Sequence, residues 1–466
     1  MQILVLIAFV IVLGLERQDL MSAPAWQVAA SCGVYLAGAA LLARQSGAMA
    51  GRSLRRNGSV TPLALRRHKA LIMATHAWLL GGLAALVMGG WGHWVRVSAG
   101  LGGVPLAGQL VMLSPFVLAL LMTWAFDYPF YRAVRQQVAV GDASHAGRGP
   151  WTLQEYLDYN TRHSLLFIAV PISLIVLASD CLLLYVGPYL GEGPVAQLAI
   201  LGASGVAALG IFVIAPLLIV RIWRTARLPD GEMRSDLDGM CQRLKLRYRD
   251  ILIWRSGGMI ANAGVMGLLA PVRYVLLSDA LLERMHPRQI EAVFAHEAGH
   301  VIGHHIFYSA LFAVSSAVLC SLAGDATILL GAADWVGESV AAVSLVALWM
   351  FGFGWLSRRF ERQSDVIAAW VSNPAGQGPD DERISPEGAA VFAGALQRIA
   401  QLNGISAHRR NWRHGSIHWR ASYILWLGST GGTRSHIDRR VRRIKVGLWV
   451  ALVTAAVLAA AQVALR

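Results

Sequence analysis

The sequence predicts a mainly α, polytopic membrane protein of about nine transmembrane helices. These helices carry a water-exposed α+β domain with a small β-sheet and an HExxH helix. Three observations predict it. The 466-residue chain is 56% hydrophobic with a mean hydropathy of +0.50, beyond an ordinary soluble chain. Long uncharged apolar runs recur along it. Two polar, arginine-rich segments, 223–305 and 357–445, stand on either side of a short apolar pair, and the first of them contains His296-Glu297-Ala298-Gly299-His300.

Taken in order, the apolar runs read as spans at Ile3–Leu15, Trp26–Ala43, Ala70–Trp91, Val104–Phe126, Leu165–Val186, Ala196–Val220, Ile306–Ala332, Val340–Leu356 and Val446–Leu465. The first is short, so it reads as a tilted or partial span. As a cleaved signal peptide it fits poorly. No basic residue precedes it, and Glu16, Arg17 and Asp19 lie before the small-x-small site Ala23-Pro24-Ala25. The expected organisation is a membrane region over 1–222, the two halves of a peripheral domain over 223–305 and 357–445, a transmembrane hairpin over 306–356, and a closing helix over 446–466.

The net charge of +14 invites a nucleic-acid reading, but the charges sort by loop. Arg44, Arg52, Arg55, Arg56, Arg66, Arg67 and Lys69 fill one loop, and Arg132 and Arg135 begin another. Both polar segments are arginine-rich, whereas the intervening loops carry few basic residues. Counting spans puts every rich loop on one side, which the positive-inside rule makes cytoplasmic. The expected partner is therefore a lipid bilayer, with no nucleic acid, and the expected location is the cell inner membrane. Nine spans place the N-terminus inside and the C-terminus outside; if the first does not cross, the N-terminus moves out. Cys32, Cys181, Cys241 and Cys320 are scattered without CxxC or disulfide spacing and read as small apolar thiols.

In the first polar segment, Leu228-Pro229-Asp230-Gly231 signals a turn before a helix to Leu246. Ile251–Trp254 reads as a strand, Ser256-Gly257-Gly258 as a tight turn, Met259–Met266 as a return strand and Arg273–Leu277 as a third strand. Asp279 caps a short helix through Met285. Pro287 suits the first turn of the next helix, where its missing N–H has no intrahelical partner. Ile290, Val293, Phe294 and Val301 give that helix an apolar face. In the second segment a helix continues out of the membrane, 373–386 is a Pro/Gly/Asp-rich loop, and a helix from Glu387 ends at Asn403-Gly404.

The HExxH motif, read as lying early in its helix, puts His296 and His300 four residues apart on one face, where both imidazoles reach one Zn²⁺. Glu297 lies a quarter turn away, placed as a general base toward water. Three protein ligands are the usual count for a catalytic zinc. A third histidine ten residues after the first is absent, since Ile306 stands there. His304 is excluded by reach, because His296 and His304 lie about 12 Å apart along a helix. His304 and His305 read as a polar helix end. Glu361 and Asp365, an i,i+4 pair on the helix leaving the membrane, offer a third ligand and an accessory acceptor. Spacing alone equally allows an exposed charge cluster with Arg358, Arg359 and Arg362.

With those residues in view, the chain resembles the membrane zinc metallopeptidases that include the type I CAAX prenyl proteases and the HtpX proteases. The matching features are His296–His300, a two-span insertion, and Glu361–Asp365 as Glu-x-x-x-Asp. Asn262–Gly267 resembles an NAxxxG strand. His414–Arg420 resembles a late His-Pro-x-x-x-x-Arg motif with Gly415 in place of proline; His436 is a rival for that histidine. The resemblance covers roughly 228–427 and leaves the N-terminal spans unmatched. It implies one zinc per chain held by His296, His300 and Glu361, with Glu297 as base. Asp365 becomes an accessory catalytic group, His414 an oxyanion donor, and Arg420 a group holding the site together beside the substrate. Asn262, Ala263 and Gly264 would pair with the substrate backbone. The peripheral domain becomes a cytoplasmic zinc-peptidase domain.

The expected function is thus a zinc-dependent metalloendopeptidase acting on membrane-associated proteins or peptides. The rival is a catalytically silent scaffold or transporter that retains a zinc site. Intramembrane His76 and Asp180 keep it open, whereas an intact Glu297 argues against it. Whether a substrate is prenylated, and the oligomeric state, are not encoded in any motif.

Overall fold

Apolar runs of leucine, valine and alanine that water cannot face fold here as long helices. The computed structural model describes residues 1–15, 21–141, 149–191, 193–374 and 382–465. They divide into two compact units, Met1–Arg224 and Thr225–Arg466. Part of the expected 373–386 loop lies outside the described residues.

The first unit is helical. It comprises α1 (Gln2–Leu15), α2 (Ala25–Asn57), α3 (Pro62–Trp91), α4 (Ala107–Gln137), α5 (Leu153–Leu190) and α6 (Val195–Ile222). Its centre packs Leu79, Leu83, Met112, Phe116 and Leu120, with Val5, Ala8, Phe9 and Val12 of α1 against them. Asp180 is tied to α4 by hydrogen bonds. It accepts from the Leu106 N–H at 2.9 Å and from Gln109 Nε2 at 3.1 Å. Its charge therefore organises the entry into α4.

The second unit begins with β1 (Ala226–Arg227), α7 (Glu232–Arg243), β2 (Asp250–Trp254), β3 (Ala263–Met266), β4 (Tyr274–Ser278), α8 (Asp279–Arg284) and α9 (Pro287–Ile302). Two membrane-length helices follow, α10 (His305–Leu329) and α11 (Val336–Val371). The unit closes with α12 (Pro386–Leu402), α13 (Ile417–Ser429) and α14 (Ser435–Leu465). Its core joins Ile251, Val275 and Leu277 of the sheet to Ile290 and Phe294 of α9, Val366 of α11 and Phe392 of α12.

Among the described residues, eight helices are long and apolar enough to cross a membrane, against about nine expected. The difference is α1. Its 14 residues rise about 21 Å, short of a hydrocarbon core of about 30 Å. Apolar composition made it look like a span; its buried face shows it serving the core instead.

The sheet also departs from the expectation of a return strand. Its order is β1-β2-β4-β3, with β2 parallel to β4 and β3 antiparallel to β4. The Ser256–Gly258 segment is thus not a hairpin turn. Gly257 and Gly258 both take left-handed backbone, with φ of 66° and 74°. Asp279 anchors that loop, accepting from Ser256 Oγ at 2.6 Å and from the Gly258 N–H at 3.0 Å. The chain is thereby carried past β2 and lays β3 along the far side of β4. Strand β3 starts at Ala263, later than expected, and β1, only two residues long, is too short to show a pattern. Ser278, not Asp279, caps α8, its hydroxyl accepting from the Leu281 N–H.

Pro287 occupies the first turn of α9 as expected. The HExxH residues lie in the last turns of that helix, not early in it. One glycine there is decisive. A Cβ on Gly299 would stand 3.0 Å from Ser364 Cα, so α9 and α11 touch nearly backbone to backbone where His300 and Glu361 approach each other.

Candidate metal centre and active site

Two rods hold the donor atoms. Helix α9 presents His296 and His300 from one face. Helix α11 continues beyond its apolar stretch and presents Glu361 one turn before Asp365. His300 Nε2 lies 3.3 Å from His296 Nε2, and Glu361 oxygens lie 3.6 Å from each of those nitrogens. Donors around a tetrahedral zinc with bonds of 2.0–2.1 Å stand about 3.3–3.4 Å apart. The two imidazole nitrogens have that spacing, and the Glu361 carboxylate turns Oε2 toward His296 and Oε1 toward His300, so these three side chains fit the protein corners of such a site.

Burial tunes these groups. It pushes the His300 imidazole down to about 4, against an opposing pull from Glu361, so its ring is neutral, the form that ligates a metal. Burial raises the Glu297 carboxyl to about 7, with the charge of His296 working against the rise. Glu297 borders a cavity of about 740 Å³ with His296, His300, Glu361 and His414. A carboxyl there can both take and return a proton near neutral pH.

A second layer fixes the first. Arg420, buried, grips Asp365 through Nε at 2.9 Å and Nη2 at 2.5 Å, and its Nη1 reaches Glu361 at 3.2 Å. Asp365 Oδ1 lies 3.0 Å from His296 Nδ1, off the line of an aligned hydrogen bond, so its contribution there is chiefly charge. Asp365 is buried behind His296 and does not border the cavity. The structure thus places Asp365, expected as an accessory catalytic group, between His296 and Arg420. Arg420 borders the cavity but spends its donors on the two carboxylates, which suits holding the site together better than binding substrate.

His305 differs from expectation. Helix α9 ends at Ile302, and His304 turns in left-handed backbone with φ of 50°. That turn leaves His304 exposed and buries His305. Among the described residues a chain of bonds then sets the tautomer of His300. Asp438, an acceptor, takes a hydrogen bond from Gln363 Nε2 at 2.5 Å. Gln363 Oε1 must therefore face a donor, His305 Nε2–H, at 2.9 Å. That leaves His305 Nδ1 as acceptor for His300 Nδ1–H at 2.9 Å. His300 Nε2 is left bare toward His296 and Glu361. Asp438→Asn, which no longer specifies this direction, is expected to weaken zinc affinity about 10–100-fold. Competition with a chromophoric chelator measures it, and Asp438→Glu should restore much of the loss.

The remaining predicted residues also fall into place. His414 Nδ1 lies 2.7 Å from Glu361 Oε1 and lines the cavity, whereas the rival His436 is exposed on α14 away from it. Asn262 and Ala263 line the same cavity. Asn262 exchanges backbone and side-chain bonds with Ser278, and β3 is an outer strand of the sheet with Gly264 in open space. Sequence reasoning noted the basic Arg409–His414 run and His305 without giving them a place at the site, and missed Gly299 and Gln363; Gly299 and Gln363 belong to the HExxH and Glu-x-x-x-Asp stretches. Both sit in the variable positions of their motifs, where only packing assigns them a task.

Residues 228–383 match the family model described as Peptidase family M48. A CAAX prenyl protease 1 homolog of Arabidopsis thaliana is 25% identical over 192 residues, 38% of this chain and 45% of that protein. Protease HtpX of Pseudomonas putida is 30% identical over 160 residues, 32% of this chain and 49% of that protein. The chain spans about half the length of the curated relatives it matches. The crystal structure of S. mikatae Ste24p shares the fold, with a TM-score of 0.50 and 15% identity over 87% of this chain and 100% of that one. The HExxH-bearing segment of this multi-pass membrane chain is thus similar to the M48 family of membrane metallopeptidases.

Proposed function

We propose that this chain is a zinc-dependent metalloendopeptidase. It would hydrolyse peptide bonds of membrane-associated proteins or peptides on the cytoplasmic side of the cell inner membrane. The observation that carries this reading is Glu297 beside the His296–His300–Glu361 triangle in one cavity. A silent scaffold or transporter has no use for a proton-accepting carboxyl aimed into a cleft beside an outer strand.

His296, His300 and Glu361 would hold zinc, which when bound supplies Lewis acidity to water and to a substrate carbonyl. Strand β3 offers its free edge to an extended peptide, aligning the backbone by strand addition. Glu297 accepts a proton from the attacking water and returns it to the departing amine. His414, at the cavity wall, donates to the oxygen on which negative charge develops. Asp365 and Arg420 keep the donor triangle in register.

Removal of the metal tests the reading. Chelator treatment of the purified full chain should abolish cleavage of a casein-type substrate, and added Zn²⁺ should restore it. Glu361→Ala, leaving two protein ligands, should bind zinc at least about tenfold more weakly, read by metal analysis. Cleavage that survives full chelation, or a Glu361→Ala chain with undiminished zinc affinity, would overturn it.

A further inference from the structure

The cavity beside the donor triangle has two unlike walls. One is neutral and largely apolar, built from Ala263, Val293, Phe392, Leu396 and Ile399. The other is the loop between α12 and α13, which brings Arg409, Arg410 and Arg413 to the cavity. The acids on the floor, Glu297 and Glu361, are engaged by the chemistry and by the metal ligation proposed above. Among the described residues, none of the three loop arginines has an ion pair, although other arginines nearby do.

This cationic wall is built, not draped. Asn403 opens the loop and ties it to the foot of the outer strand. Its Oδ1 accepts from the Ala261 N–H at 3.1 Å and its Nδ2 donates to the Ala261 carbonyl at 2.7 Å. Arg358 of α11 holds the Trp412 carbonyl at 2.6 Å. Asn411 Oδ1 accepts from the Arg413 and His414 N–H groups at 2.9 and 3.2 Å. The His418 N–H bonds the Ala407 carbonyl at 2.9 Å. The loop is therefore fixed at its start, middle and end, with Arg409, Arg410 and Arg413 bordering the cavity and the Arg413 guanidinium lying 5.6 Å over the Phe353 ring.

A sidedness signal for membrane insertion needs basic residues anywhere in the loop. It does not need three of them beside one cleft with no acid to meet them. Like charges gathered in this way repel, and the repulsion is relieved when an anion binds. Arginine in particular recognises carboxylate through its planar fork.

We infer that this wall selects peptides carrying acidic side chains close to the scissile bond, with Arg409, Arg410 and Arg413 as the specificity-determining residues. The inference rests on the peptidase reading above and adds to it a substrate class. A peptide extended along β3 places alternate side chains across the cleft, so acidic residues on one side of the cut meet the arginines while the opposite wall takes apolar ones.

The test uses the full chain in detergent micelles and internally quenched peptides blocked at both ends, so that only side chains carry charge. Glu, Gln or Lys is placed in turn at each of three positions on either side of the cut. On one side, kcat/KM should be about tenfold higher for Glu than for Lys, as expected for a few partly exposed charge pairs, and the ratio should shrink with added salt. The double variant Arg409→Glu, Arg410→Glu should reverse the ratio, and Arg409→Gln, Arg410→Gln should flatten it. Reading a ratio leaves any general loss of rate out of account. Binding of the same peptides to the Glu297→Gln chain, followed by fluorescence anisotropy, should give the same order. Equal values for Glu and Lys at every position, or a ratio unchanged by charge reversal, would overturn the inference and leave the peptidase reading standing. Absence of cleavage by the unaltered chain would instead sink the peptidase reading, and anisotropy would then judge the anionic preference by itself.

Discussion

Glu297→Gln is expected to cut turnover by roughly 10²–10⁴-fold while leaving zinc bound, because it removes the proton acceptor and none of the donor atoms. The amide has nearly the same volume as the carboxyl, so the packing of α9 should be undisturbed. Metal analysis should return one zinc per chain in both proteins, and thermal unfolding midpoints should agree closely. The rate loss should lie mainly in kcat, since the carboxyl acts on the reacting atoms and not on the distant parts of a peptide. In native membranes, intact proteins that accumulate in the variant would name the substrate class. Cleavage at the unaltered rate would mean that another group takes the proton.

Arg420→Ala is the second large effect. It should destabilise the second unit by about 3–5 kcal/mol, because it strands the buried carboxylates of Asp365 and Glu361 without their shared counter-charge. Zinc retention should fall with it, since Glu361 is the donor that Arg420 steadies and Asp365 is the charge behind His296. The measurement pairs a thermal melt in detergent with zinc per chain. Arg420→Lys should recover only part of the loss, because an ammonium cannot reproduce the fork that spans both carboxylates. A variant with unchanged melting and full zinc would show the two acids to be held by something else.

The readable parts of this chain are those fixed by a short period or a strict pair. Apolar runs of membrane length announced the long helices, and four-residue spacings announced the faces carrying His296, His300, Glu361 and Asp365. Both signals depend only on helix geometry. The spacing alone left Glu361 open between a ligand and an exposed ion pair, and its burial against α9 is a tertiary fact. The same limit explains the misread strand. Pairing of β3 with β4 depends on Asp279 anchoring a glycine turn more than twenty residues earlier in the chain. In the sequence His305 reads, with His304, as a polar helix end, because two adjacent histidines look alike. One backbone turn at His304 separates their fates, and no residue pattern predicts left-handed histidine. Length decided α1, where composition did not.

Glu361 belongs to a single rod, Val336–Val371, whose earlier turns are apolar enough to cross a membrane. A lever of this kind does not distinguish an event in lipid from an event at its tip. Thinner or thicker hydrocarbon changes how such a rod leans, at a cost of fractions of a kcal/mol per ångström. A carboxylate with only a few tenths of an ångström of tolerance at its far end would register that lean. Hydrocarbon thickness is therefore expected to bear on where the Glu361 carboxylate stands.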